Sequence, residues 1–328
     1  MGMSNVYDNW SNIARESYNS DLELVNFKDI DHIVFAGMGG SGAIGDVFSS
    51  ILSKTNIHVS IVKGYQLPKT VDENTMTVVT SISGNTDETM TILKQLKKDE
   101  NKTIAFSSGG LIENYCMKNN INYRKLNQSL SPRTSFPTFL YGILKVLGPI
   151  IPIKNDDIKN SLNNLEKISS NISSKNLTDT NFSLRLAEWI KGIPLIYYPG
   201  GLQASAIRFK NSLQENSKIH VIAEDVIEAC HNGIVSWERS SNVQPILIQG
   251  QDDHKKTKER WSILKEYLQN KEIPFWEVKS IGGGILTKII NLIYQLDYCS
   301  IYLAILNEID PNSVNSIDFV KKRLNSEK

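Results

Sequence analysis

The sequence predicts an α/β fold of two lobes, each a mostly parallel sheet flanked by helices. Short β-branched and aromatic runs alternate with stretches of helical apolar spacing, the pattern of parallel strands joined by helices. In each half, one such run stops at glycines and leads straight into a helix. The chain is also long enough. Its 328 residues, 40% hydrophobic and 22% charged, supply apolar material for two cores of ordinary size and argue against disorder as the main state.

The first strand is His32-Ile-Val-Phe-Ala36, ended by Gly37-Met-Gly-Gly-Ser-Gly42. Ala43, Ile44, Val47, Phe48, Ile51 and Leu52 then recur at helical spacing. A second strand is expected over 57–62 and a third over 76–81, which runs into the polar loop Ser81-Ile-Ser-Gly-Asn-Thr86. A helix over 87–98 and a fourth strand over 103–107 follow. From 154 to 182 the composition shifts to Asn, Ser and Lys, yet Ile158, Leu162, Leu165, Ile168 and Ile172 keep a helical stripe. A bridging helix with a looser tail over 173–181 is expected there. The second half repeats the plan with a strand over 193–198, closed by Pro199-Gly200-Gly201, and a helix from Gln203 to about Leu213. A strand over 245–249, a helix over 254–270 and a strand over 275–278 complete it. The expected division is an N-terminal lobe over 1–153, a bridging helix and linker over 154–182, and a C-terminal lobe with a terminal helix over 183–328.

Charge and cysteine usage narrow the functional classes. Lys and Arg number 36 against 35 for Asp and Glu, so no strong field draws the chain to a polyanion, and no basic stripe suggests a nucleic-acid partner. Cys116, Cys230 and Cys299 form no CxxC and read as reduced thiols of a cytoplasmic protein. The opening MGMSNVYDNW has no apolar core, so no signal peptide is expected. The apolar stretch Ile285 to Leu306 carries Lys288, Asn291, Gln295 and Asp297, which would be costly in lipid. It reads as a buried helix, with no membrane partner.

Two loops carry the chemistry. Gly37, Gly39 and Gly42 satisfy GxGxxG between a strand and a helix, the setting of a dinucleotide pyrophosphate. That alternative needs an acid for the ribose at the end of the second strand, where the chain reads Val62-Lys63-Gly64. Ser81, Ser83 and Thr86 place three hydroxyls at another strand-to-helix turn, a cradle for a phosphate monoester. Asp87 and Glu88 would equally suit a plain capped turn. Two such loops at successive strand ends favour phosphate.

Read together, Gly37 to Gly42, Ser81 to Thr86, Glu215-Asn-Ser-Lys218, His231-Asn-Gly-Ile-Val-Ser-Trp-Glu238 and Asp310-Pro311 resemble the bifunctional phosphoglucose/phosphomannose isomerases of the sugar isomerase (SIS) superfamily. The resemblance runs from about Asp31 to Leu324. It implies two SIS-type lobes, phosphosugar substrates, a homodimer, and neither metal nor cofactor. The residues agree on one point, since no HxH, HExxH or Cys/His cluster has metal-ligand spacing.

An aldose–ketose isomerase needs a base beside C1 and C2 and a group that opens the sugar ring. By the resemblance, Glu215 is the base and His231 the ring opener, the histidine being contributed by the neighbouring subunit. On residue type alone, Glu215 would be an ordinary helix-end glutamate and His231 a structural histidine. The other histidines, His220 among them, lack a comparable context. Ile317, Val320, Lys321 and Leu324 resemble the closing helix of the family, which makes Lys321 a helper in ring opening, with Lys322 its competitor. Arg133, in Ser131-Pro-Arg133, resembles the arginine that faces the enediolate oxygens. Gly40, Ser41, Ser81, Ser83 and Thr86 would hold the phosphate. The chain departs from the family at Thr134-Ser135, Gly233 and Ser236, and near Asp310-Pro311 it offers only Asn312, Ser313 and Val314 in place of a threonine that helps accommodate mannose. The expected activity interconverts fructose 6-phosphate with glucose 6-phosphate and mannose 6-phosphate through a cis-enediol. A non-catalytic phosphosugar-binding regulator and an NAD-dependent enzyme using the Gly37 loop are the alternatives.

Overall fold

A computed structural model of the chain describes residues 2–96 and 102–326. Two helices that the sequence reading lacks, α1 (Met3–Asp8) and α2 (Trp10–Tyr18), come first and bury Tyr7, Trp10 and Ala14. Next follow β1 (His32–Ala36), α3 (Gly39–Leu52), β2 (His58–Val62), β3 (Thr75–Ser81) and α4 (Asp87–Gln95). The last two residues of the helix expected over 87–98, Lys97 and Lys98, lie outside the described residues. Then come β4 (Lys102–Ser107), α5 (Gly110–Asn119), β5 (Asn122–Lys125) and α6 (Phe136–Val146). These strands form one parallel sheet in the order β2-β1-β3-β4-β5.

The bridging helix is α7 (Asn155–Ile172), with Ile158, Leu162, Leu165 and Ile172 of the expected stripe buried. The segment over 173–181 has no regular structure but is well fastened: the Tyr302 hydroxyl donates to the carbonyls of Ile172 and Ser173, and Ser174 donates to Asp8. Asn181 caps the next helix, α8 (Phe182–Trp189), by accepting from the Leu184 amide. The second sheet follows: β6 (Ile193–Tyr198), α9 (Gln203–Ser217), β7 (Ile222–Asp225), α10 (Val226–Ala229), β8 (Val243–Gln249), α11 (Lys255–Asn270) and β9 (Trp276–Lys279). Its order, β7-β6-β8-β9, repeats four strands of the first. The chain closes with α12 (Ile285–Leu306) and α13 (Asn315–Ser326).

Side-chain alternation along the strands builds the layers. Ile33 and Phe35 of β1 face inward, as do Ile196 of β6 and Ile246 and Ile248 of β8, into one large cluster that α3, α6, α9 and α12 share between the sheets. Val34 and Ala36 face outward under α4 and α5. Leu195, Tyr197 and Leu247 do the same under α11. By length and composition α12 is apolar enough to cross a membrane, yet 83% of its most apolar window is buried against protein. The missed strands β5 and β7 are short and lie at sheet edges, where no alternation marks them.

One histidine links this fold to pH. His32 is buried at the start of β1, its ring nitrogens 3.2 Å from the Thr75 hydroxyl and 2.9 Å from that of Ser60, with the His58 ring centroid 4.9 Å away. Burial, and then His58, hold its titration below the ordinary 6.5, against smaller opposing effects of a hydrogen bond with the Thr70 backbone and of Asp72 and Asp31. As pH falls, the unfolded chain takes up this proton before the folded one does. The stabilisation is therefore complete above about 6.5 and is lost as pH falls through the lower, folded value. Thermal melts from about pH 8 to about pH 5 should show an acid-side decline that is shallower in His32→Gln. Equal slopes would mean that His32 does not contribute.

Candidate active site

The glycine and hydroxyl loops meet at the C-terminal edge of the first sheet, where β1 and β3 lie side by side. The chain leaves β1 through Gly37 and Met38 and enters α3 at Gly39, and Ser41 in its first turn accepts from the Ile82 amide at 3.2 Å. Ser81 and Thr86 share a 2.8 Å hydroxyl–hydroxyl bond, and Ser81 also accepts from the Gly84 amide at 3.1 Å. The pair consumes one of its two hydroxyl hydrogens, so the other is available to a ligand. Ser83 is exposed at the rim, with the Asn85 amide 3.4 Å from its oxygen. The structure thus brings Gly40, Ser41, Ser81, Ser83 and Thr86 to one strand edge at the mouths of α3 and α4.

Gly84 holds that loop in shape. Its φ is +71°, and a Cβ would lie 1.7 Å from the Gly109 carbonyl oxygen of the next loop. Gly84→Ala should destabilise the protein by about 3 kcal/mol or more, from backbone strain plus the clash. Melts with and without inorganic phosphate would also show weaker stabilisation by phosphate. Parental behaviour in both would rule out the close approach.

The end of β2 bears on the dinucleotide alternative. Where a ribose-binding acid would be expected, Lys63 stands, its Nζ 2.7 Å from Asp46 of α3 and its Cε 3.0 Å from the position of a Gly42 Cβ. A lysine stem covers the glycine loop there.

The second group forms around Arg133. The Arg133 Nε lies 3.3 Å from a carboxylate oxygen of Glu215. Nη1 donates to the Asn216 side-chain oxygen at 2.7 Å and to the Pro311 carbonyl at 2.9 Å, and Nη2 donates to the Asn312 carbonyl at 3.3 Å. Three of the five guanidinium hydrogens are therefore spent on hydrogen bonds that fix its position, the Nε edge lies in an ion pair with Glu215, and one Nη2 hydrogen is left over. The preceding turn is tied by hydroxyls: the Ser131 amide donates to Thr134, and Ser135 donates to the Ser131 carbonyl. That gives Thr134 and Ser135, the departures from the family sequence, a local role.

Glu215 lies on the last turn of α9, not beyond it. The helix expected to stop near Leu213 continues to Ser217, because Asn216 and Ser217 are buried and bond the Ser300 hydroxyl and carbonyl. Lys218 ends it in the left-handed conformation, φ 58°, and its ammonium donates to the carbonyls of Glu215, Asn216 and Asp310. Partial desolvation, and then the Arg133 charge, push the Lys218 titration below its ordinary value. Glu215, Lys218 and His220 line an open groove of about 600 Å³ whose far wall is Ser313 to Ile317. Sequence reasoning set His220 aside. Asn216 and Lys218 lie in the Glu215-Asn-Ser-Lys218 motif, where the sequence assigns neither a role.

The two groups touch through the 131–134 turn. The Pro132 carbonyl oxygen is 3.4 Å from where a Gly40 Cβ would be, so the bare glycine lets the turn sit against the glycine loop. His231 is not brought in. It is exposed on the turn after α10, does not line the groove, and is held there through its amide bond to the Glu228 carbonyl. Lys321 is exposed on α13, one helical turn beyond the groove residue Ile317 and on the same face. No group of three or more His, Cys, Asp or Glu side chains among the described residues is placed to hold a metal ion.

Residues 26–115 match the SIS domain family, and residues 179–324 match the family described as the bacterial phospho-glucose isomerase C-terminal SIS domain. A bifunctional phosphoglucose/phosphomannose isomerase of Caldicellulosiruptor bescii is 31% identical over 92% of this chain and 91% of its own length. One from Aquifex aeolicus is 27% identical over 98% and 96%. Among solved structures, a hypothetical protein from Thermus thermophilus superposes with a TM-score of 0.73 at 11% identity, covering 100% of this chain and 90% of that one. That likeness concerns the fold.

Proposed function

The chain belongs to the bifunctional phosphoglucose/phosphomannose isomerases and is an enzyme of that class, and from that premise we propose a metal-independent mechanism through a cis-enediol. In this reading Ser41, Ser81, Ser83 and Thr86, with the backbone at Gly40, hold the phosphate of fructose 6-phosphate. Glu215 removes the proton from C1 of the open ketose and delivers it to C2. The negative charge that develops on the enediolate oxygens meets the free Nη2 hydrogen of Arg133, where a fixed donor lowers the barrier most. Return of the proton to one face of C2 gives glucose 6-phosphate, and to the other mannose 6-phosphate.

The observation that carries the reading is the continuity of the site: a hydroxyl cradle, the 131–134 turn against it, and a carboxylate 3.3 Å from the arginine of that turn. His231 and Lys321 open the ring, His231 being supplied by a second copy, so the active form is a homodimer. The exposed position of His231, away from the groove of its own chain, supports that supply. We place the enzyme in the cytoplasm, acting in carbohydrate metabolism.

One assay tests the whole reading. Fructose 6-phosphate should yield both aldose phosphates, measured separately, at rates that EDTA leaves unchanged. No aldose in either channel would point to a phosphosugar-binding regulator instead. Sedimentation should show a dimer, and mixing Glu215→Gln with His231→Ala should restore part of the activity that each lacks. A fully active monomer would overturn the shared site.

A further inference from the structure

The interface of α9 and α12 is unusually polar for the centre of a protein. Arg208, Ser212 and Asn216 recur every fourth residue along the buried face of α9, opposite Asp297 and Ser300 of α12. Arg208 is 3% exposed and Asp297 0%. The Arg208 guanidinium grips the Asp297 carboxylate at 2.7 and 3.0 Å, Ser212 donates to the same carboxylate at 2.6 Å, and the Tyr7 hydroxyl does so at 3.1 Å. The Phe136 ring lies 4.2 Å from the Arg208 guanidinium carbon. Asp297 is thus fully coordinated, and Arg208 has a donor to spare. That donor goes to the main-chain carbonyl of Arg133, at 3.0 Å.

Stability does not explain such a pair. Two charges lose their hydration on burial, and well-packed apolar side chains in their place are often no less stable. What the pair does provide is a rigid donor at one defined point, the backbone of the turn that joins the phosphate loop to Glu215. We propose that Arg208 and Asp297 are positioning residues of the isomerase. They hold the Arg133 main chain, and through it keep the guanidinium in line with Glu215 and the enediolate. Arg208 and Glu215 share one helix, so the reactive carboxylate and the group that aims its arginine move as one body. The inference rests on the reading of Arg133 and Glu215 as the reactive centre.

Two variants test it. Arg208→Lys keeps the charge balance but replaces a planar fork by a point ammonium. The combined Tyr7→Phe, Arg208→Met and Asp297→Leu removes both charges together with the phenol that would lose its acceptor. Misplacement of a reacting group by an ångström costs up to about 10²-fold in rate, so kcat should fall between about tenfold and about 10²-fold in each folded variant. KM for fructose 6-phosphate and stabilisation by inorganic phosphate should stay within about twofold, because the cradle is untouched. A folded Arg208→Lys with parental kcat overturns the inference, whatever the triple variant does. A rise in KM together with a lower melting temperature also overturns it, since that is general loosening. Glu215→Gln is run beside them. If it too keeps the parental rate, the assignment of the reactive centre has failed, whereas an inactive Glu215→Gln beside a fully active Arg208→Lys removes only the positioning role.

Discussion

Glu215→Gln should abolish the exchange of the substrate carbon-bound proton with deuterated water while fructose 6-phosphate still binds. Glutamine keeps the size of the side chain beside Arg133, whose Nε lies 3.3 Å from the Glu215 carboxylate, but it cannot take a proton from carbon. A positioned general base contributes typically 10²–10⁴-fold, so kcat should fall by at least about 10²-fold and the exchange by the same factor. Binding should persist because the residues proposed to hold the phosphate lie at the end of β3, in the loop after it and at the start of α3, and share no hydrogen bond with Glu215. The backbone should persist too, since the end of α9 is held by Asn216, Ser217 and Lys218. NMR of the aldose and ketose pool measures the exchange, and calorimetry measures binding. Exchange near the parental rate would show that another group is the base.

Arg133→Lys should be nearly as damaging although it preserves the charge. Arg133 pairs its charge with Glu215 across 3.3 Å at Nε, and spends both Nη1 hydrogens on Asn216 and Pro311 and one Nη2 hydrogen on Asn312. A lysine ammonium has three donors and no planar fork, so it cannot hold the helix end and the 310–312 turn together and still face an oxyanion. Removal of one preorganised donor from a developing oxyanion costs about 10²–10³-fold in kcat, and a loss in that range is expected. The buried Asn216 oxygen would also lose its partner, which costs about 1–3 kcal/mol of stability. Steady-state kinetics and a melt of the same preparation separate the two effects. A kcat within about threefold of the parent would mean that charge alone suffices at this position.

The glycine and hydroxyl loops proposed to hold the phosphate are legible along the chain because they are local. A strand, a glycine or hydroxyl loop and a helix start follow one another within a few residues, and hydrogen bonding at a helix start depends on little else. The resemblance singled out Glu215 and Arg133 as a pair of motifs 82 positions apart, and their contact is what the structure adds. The end of α9 falls at Ser217, later than the sequence pattern predicts. Polar residues at 214–218 look like a helix end until Ser300 is seen to satisfy Asn216 and Ser217. Polar spacing at Ser205, Arg208, Ser212 and Asn216 was the available signal, and it reads as a solvent face in the absence of a partner helix.

The sequence by itself determined the alternation of strands and helices, the parallel sheets, the loops that can cradle a phosphate and the burial of Ile285–Leu306. Each of these depends on side-chain period and on backbone geometry within one or two turns. Only the tertiary structure decided that the two sheets share one helical core, that Pro132 rests on Gly40, and that Asp297, reached through Arg208, stands behind Arg133. Those contacts join residues far apart in the chain, and their energy lies in packing and in buried hydrogen bonds that no local pattern encodes.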